Sequence, residues 1–220
     1  VIDCSWSGLP NLSNENNKLN LEQKLFLIDR MRQLGIKSYV GFGSCLEFGS
    51  LTGEVNEEEK GKDVGNFGST KLELLDRVRS SFEHHIWFRP FYLVGSRQHE
   101  NSLLNSAILK LSSGEQFLPR NPNSTFDFIA IEDAIEAFSS AILFERAYGV
   151  YNVGSGKLNS VNFLLNIMRE KFRIPILDEC PEEGMWANTE KLSIATSWTS
   201  RTSINETIQR FIEESTSVKK

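Results

Sequence analysis

The chain has 220 residues, of which 40% are apolar, 10% aromatic and 24% charged, enough for the core of one compact domain or two small lobes. Lys and Arg total 24 against 29 Asp and Glu, a formal charge of −5, so no basic excess exists to neutralise nucleic-acid phosphates. Three cysteines and three histidines form neither a disulfide framework nor a metal-ligand spacing, and no apolar run reaches transmembrane length.

The opening residues Val1-Ile2-Asp3-Cys4 read as a strand from the interior of a domain. No charged-then-apolar signal precedes it, so a cytoplasmic location is expected. Leu21, Leu25, Ile28 and Met31 recur at helical spacing, with Gly35 as the stop. Lys37 to Gly43 is short and β-prone. Gly53 to Asn66, with Glu57-Glu58-Glu59 inside it, reads as a solvated surface loop. Leu72, Leu75, Val78 and Phe82 mark a second amphipathic helix, and His85 to Arg89 a strand ending at Pro90. A helix over Ser102 to Leu111, a strand over Phe126 to Ile131, a helix over Ala134 to Phe144, a strand from Gly149 and a helix over Val161 to Phe172 follow. The last helix opens on Ser203-Ile204-Asn205-Glu206, a capping box, and buries Ile208, Phe211 and Ile212. Strands alternating with helices predict an α/β fold with a parallel sheet covered on both faces.

In such sheets ligands bind beyond the carboxyl ends of strands. Those ends are Cys4-Ser5-Trp6-Ser7-Gly8, Gly43-Ser44-Cys45-Leu46-Glu47-Phe48-Gly49 and Pro90-Phe91-Tyr92-Leu93-Val94-Gly95. Their small residues suit either close approach of a ligand to the backbone or ordinary strand-to-helix turns. In Phe67-Gly68-Ser69-Thr70-Lys71, positions 67 and 71 are one helical turn apart and share a face. A lone lysine near a helix start is usually solvated and is slightly disfavoured there by the helix dipole, a mild cost that suggests a specific partner for Lys71. Cys45 beside Ser44 has no base near it in sequence and reads as structural; Trp87 and Phe88 read as core.

Val1 to Trp6, Gly43 to Gly49, Phe67 to Lys71, Arg89 to Gly95, Phe126-Asp127-Phe128-Ile129-Ala130-Ile131-Glu132-Asp133, Gly149-Val150-Tyr151-Asn152-Val153-Gly154, Thr189-Glu190-Lys191-Leu192 and Ser197-Trp198 occur in this order. Together they resemble the extended short-chain dehydrogenase/reductase superfamily, and within it the NAD-dependent nucleotide-sugar epimerases and dehydratases. The resemblance implies the C-terminal portion of a Rossmann-like parallel sheet with helices on both faces, plus a small C-terminal substrate-binding lobe. Residues 1–95, rejoined by roughly 126–154, are then a partial dinucleotide-binding domain, and 96–125 with 155–220 the lobe.

In that family a tyrosine, its pKa lowered by a lysine, moves a proton to or from a sugar hydroxyl that a Ser or Thr also holds, while nicotinamide exchanges hydride. By resemblance Ser44 is the catalytic Ser/Thr and Lys71 the lysine, and Phe67 stands at the tyrosine position. Cys4, Ser5, Trp6, Asn20, Lys71 and Phe91 are implied beside NAD or NADP, and Ser44, Tyr92 and Arg120 beside a nucleotide sugar. No metal, nucleic acid or membrane is implied. A homo-oligomer, or pairing with a related chain across the open edge of the first strand, is expected. The chain departs from the pattern where it matters for chemistry. Phenylalanine cannot relay a proton, and the glycine-rich dinucleotide turn that would precede Val1 is not in this sequence. Phe126 and Ala130 replace an arginine and a histidine, and no arginine precedes Met185-Trp186. A family member impaired in catalysis is therefore expected, the alternative being a non-catalytic binding or assembly module.

Overall fold

The computed structural model describes residues 1–144 and 147–217. Its central layer is a parallel four-stranded sheet of β1 (Ile2–Asp3), β2 (Ser38–Phe42), β4 (His84–Pro90) and β7 (Gly149–Val153), in the order β1-β2-β4-β7. The strands are in close register, with Val40 opposite Ile86 and Phe88 opposite Tyr151.

Strand side chains alternate between faces, and here both faces are dry. On one face Tyr39, Trp87 and Val150 pack against Ile28 of α1 (Asn14–Gln33) and Leu74, Leu75 and Val78 of α2 (Asn66–Ser81). On the other, Val40, Ile86, Phe88, Tyr151 and Val153 meet α4 (Ile131–Leu143) and α6 (Glu190–Thr196). Helix α4 presents Ala134, Ala137 and Ala141 to the sheet, all fully buried, so its backbone comes close. The α/β architecture with helices on both faces is thus the one the alternation predicts.

A second layer holds β5 (Tyr92–Val94) parallel to β6 (Thr125–Ala130), with β8 (Leu158–Ser160) antiparallel to β6. It is backed by α3 (Leu103–Ser112), α5 (Val161–Lys171) and α7 (Ile204–Ser217), which bury Leu111, Leu164, Met168 and Phe211. The capping box at Ser203 forms, with Ser203 and Glu206 exchanging hydrogen bonds. A third, two-stranded sheet pairs β3 (Gly53–Val55) with β9 (Met185–Ala187).

That last pair corrects the reading of 53–66 as a surface loop. Val55 is fully buried, and Glu57, expected to be solvated, is 7% exposed. Its carboxylate accepts a hydrogen bond from the Asn152 amide at 2.8 Å, and burial raises its pKa. Local polarity at 53–66 misled because the partner strand lies 132 positions downstream, Gly53 opposite Met185.

Candidate functional site

At the carboxyl ends of β1, β2 and β4, loops and helix α2 enclose a cavity of about 270 Å³. Ser5 and Trp6 enter it from the loop after β1, Ser44 from the loop after β2, Phe91 from the end of β4, and Phe67 and Lys71 from α2. The segments that the sequence points to therefore converge. A larger and mostly apolar cavity of about 630 Å³ adjoins it, sharing Leu9, Phe67 and Phe91.

Phe67 and Lys71 lie on one face of α2, as their spacing predicts. The Lys71 ammonium sits 5.5 Å from the Phe67 ring and 3.6 Å from the Trp6 ring, and donates to the Phe42 carbonyl at 2.9 Å. Trp6 and Phe67 meet edge to face with centroids 5.4 Å apart. Lys71 is the sixth residue of α2, past the first turn where the dipole would disfavour it, and its partners are a carbonyl and a π face. It is 7% exposed, and burial pulls its pKa down to about 7. The Trp6 indole N–H is buried with no acceptor.

Ser44 is fixed by its neighbours. It caps the 3-10 turn Cys45–Phe48, accepting from the Leu46 amide at 3.1 Å, while its own amide donates to Glu47 Oε1 at 3.0 Å. Glu47 is buried, and it also accepts from Trp87 Nε1 at 3.0 Å and Arg89 Nε at 2.6 Å. The Ser44 turn is held to β4 through this carboxylate. Cys45 is buried and its thiol is pushed up to about 12 by burial, so it is inert.

The other wall is a polar cluster that the motif pattern does not contain. Asp3 accepts from Lys24 Nζ at 2.5 and 2.6 Å, from Tyr39 Oη at 2.6 Å and from Ser5 Oγ at 2.7 Å. Burial opposes the charge on Asp3, but these bonds outweigh it and hold the pKa at about 2. Tyr39 shares the cavity with Lys71, yet its hydroxyl is spent on Asp3, and burial and that bond raise its pKa far above the ordinary value. It does not replace the missing phenol. The one signal for Lys24 in the sequence is its place four residues after Asn20 on the same helical face.

Asn20 is buried and binds the loop after β1, accepting from the Ser7 amide at 2.8 Å and donating to the Ser7 carbonyl at 3.1 Å. It positions the loop that carries Trp6. Cys4 and Ser5 line the cavity beside it. Tyr92 lines the larger cavity, while Arg120 is exposed and lines neither. Asp127, in the segment after Phe126, accepts from the amides of Ser155, Gly156 and Ala187, joining β6 to the turn between β7 and β8 and to β9. The loop glycines also serve the fold. A Cβ on Gly43 would strike Glu47 and Trp87, and one on Gly95 would strike Ile131.

The lining can be compared with what a nicotinamide dinucleotide needs. Ser44 and Lys71 are present, but the ammonium is turned to Phe42 and Trp6, and Lys24 is paired with Asp3. The residues do not fit a cofactor oriented for hydride transfer by a lysine and a phenol. Among the described residues, no group of three or more His, Cys, Asp or Glu could hold a metal ion, and no helix is long and apolar enough to cross a membrane.

Comparison with known proteins places this geometry. The model of the NAD dependent epimerase/dehydratase family matches residues 8–154. No curated protein matches the sequence. Among solved structures, the Bordetella bronchiseptica enzyme WbmG in complex with NAD and UDP is similar at 12% identity and a TM-score of 0.85, covering 99% of this chain and 72% of that one. The UDP-glucuronic acid 4-epimerase of Bacillus cereus in complex with NAD is similar at 15% identity and a TM-score of 0.85, over 100% and 74% of the two chains. RMD from Pseudomonas aeruginosa complexed with NADPH is similar at 17% identity and a TM-score of 0.83, over 99% and 81%. At these identities the structures share the fold, and the family match covers most of the chain. The chain belongs to the NAD dependent epimerase/dehydratase family.

Proposed function

We propose that this chain is a family member that binds a ligand at the carboxyl ends of its sheet without tyrosine-dependent hydride transfer. One observation carries the reading: a phenyl ring, Phe67, faces Lys71, while Trp6 and the Phe42 carbonyl occupy the ammonium. A proton relay needs an ionisable group within reach of the reacting oxygen. Tyr39, the phenol in this cavity, is bonded to Asp3.

By resemblance the cofactor is NAD or NADP and the substrate a nucleotide sugar, and the similar structures were solved with NAD, NADPH or UDP. In this reading residues 1–95 and 126–154 form the cofactor side, and 96–125 with 155–220 the substrate side. Helix α1 leaves Leu19 and Phe26 exposed, 49% and 69%, seven residues apart on one face. That supports a homo-oligomer or pairing with a related chain, which sedimentation will reveal as a dimer.

The test is a hydride-transfer assay of the native protein with NAD and NADP and a panel of UDP, CDP and dTDP sugars. No turnover is expected. Turnover abolished by Ser44→Ala or Lys71→Ala would overturn the reading.

A further inference from the structure

Lys71 is a buried amine with no acid of its own. Its nitrogen donates to the Phe42 carbonyl at 2.9 Å, and among the described residues no carboxylate forms an ion pair with it. The two carboxylates whose charge reaches it are committed elsewhere. Asp3, on β1, is held by Lys24, Tyr39 and Ser5, and Glu47, in the turn after Ser44, by Arg89, Trp87 and the Ser44 amide.

A buried lysine either pairs with an acid or gives up its proton. Burial, with repulsion from the Lys24 ammonium on α1, outweighs the pull of Asp3 and Glu47, so about half of the amine is neutral at pH 7. The same residue lines the cavity of about 270 Å³, together with Ser5, Trp6, Ser44, Phe67 and Phe91. The Trp6 and Phe67 rings, centred 3.6 and 5.5 Å from the nitrogen, limit its contact with water. A neutral amine in such a cavity is a nucleophile, and the electrophile suited to it is a carbonyl carbon.

We propose that Lys71 forms a Schiff base with an aldehyde or ketone bound in this cavity. The nitrogen lone pair forms the C–N bond as the carbonyl π pair moves to oxygen, giving a carbinolamine. That oxygen then leaves with the two amine hydrogens as water, and a C=N bond remains. The step consumes neither oxidant nor reductant. At about 270 Å³ the space is small beside ordinary ligand pockets, roughly 300–1,000 Å³, so it takes the carbonyl end of the ligand. The adjoining cavity of about 630 Å³ has room for what the carbonyl is attached to, a nucleotide sugar included. The inference rests on the reading of this face as the ligand-binding face, and it holds whether or not hydride is transferred there.

The test is reductive trapping of the native protein with benzaldehyde and cyanoborohydride, followed by peptide mapping. At pH 7 Lys71 is benzylated at least about tenfold faster than any other lysine, because ordinary lysines are then almost wholly ammonium. Its rate saturates with benzaldehyde, the mark of a bound carbonyl. It also levels off once the pH passes about 7, whereas the other lysines keep gaining toward the ordinary 10.5. Lys71→Met abolishes the fast adduct and leaves the slow labelling of the other lysines unchanged. Labelling of Lys71 no faster than that of exposed lysines, or a rate linear in benzaldehyde throughout, overturns the proposal. Calorimetric titration of the same protein with UDP-glucose and with NAD separates the two readings. Binding without trapping overturns the Schiff base alone, and absence of both overturns the ligand-binding face with it.

Discussion

The Trp6 indole covers the Lys71 ammonium, with Nζ 3.6 Å from the ring centroid. With this contact Lys71 is 7% exposed. The ammonium is held by a π face and the Phe42 carbonyl and has lost most of its water, which lowers its pKa to about 7. Trp6→Ala readmits water. Desolvation is the largest influence on Lys71 and exceeds the attraction lost with the ring, so its pKa rises by about one pH unit or more. Reductive methylation with carbon-13 and NMR titration of the lysines will show one amine titrating near neutrality in the wild type and higher in the variant.

The same burial makes Lys71 a stability liability. Its folded-state pKa, about 7, lies below its ordinary 10.5, so between those values the unfolded chain binds the extra proton and stability rises with pH. Lys71→Met removes the cost. The variant is expected to be more stable by about 1–3 kcal/mol at neutral pH and below, the gain fading as pH approaches the ordinary lysine range. Urea unfolding across that range measures it.

Asp3 and Lys24 behave in the opposite way. The Asp3 pKa, about 2, lies below its ordinary 3.8, so its contribution to stability is complete above 3.8 and is lost as pH falls through 2. Asp3→Asn strands a buried lysine and is expected to cost about 3–5 kcal/mol at neutral pH. The Asp3→Asn/Lys24→Met pair costs less than the single change, and the acid-induced loss flattens in both. A double-mutant cycle by denaturant unfolding tests each point.

Glu47 joins the Ser44 turn to β4 through Trp87 and Arg89, with the Glu47 side chain fully buried and that of Arg89 5% exposed. Glu47→Ala leaves Arg89 buried and unpaired, and a loss of about 3–5 kcal/mol is expected. The Arg89 Nη1 bond to the Glu57 carbonyl at 2.9 Å is not enough to offset it. Thermal unfolding of the variant measures the loss.

The main sheet and its flanking helices are legible in the sequence because their signals are local. Alternating buried strands such as Ile86-Trp87-Phe88 and the periodic helices α1, α2, α4 and α5 need no knowledge of distant partners. Strands β3, β8 and β9 are three residues each, too short for a period, and exist only through pairing across long stretches of chain. The buried Glu57 was lost with them, since a run of three glutamates gives no sign that one faces inward. At the site, the spacing of Phe67 and Lys71 and the place of Ser44 were readable. The Asp3–Lys24–Tyr39 cluster was not, because its members come from β1, α1 and β2 and meet only when the helix folds back over the strands. The covering of Lys71 by Trp6 was invisible for the same reason.

The central claim is that Phe67 leaves the site without a proton relay. Conversion of nucleotide sugars by the native protein with NAD and NADP, followed by chromatography of the sugar products as well as by nicotinamide absorbance, tests it most directly, because an epimerase or dehydratase returns the hydride and leaves no net change in absorbance. The account predicts no new sugar product and no change in absorbance for the wild type, with Ser44→Ala and Lys71→Ala indistinguishable from it. A converted sugar or a reduced nicotinamide with the wild type, abolished by either substitution, would contradict it.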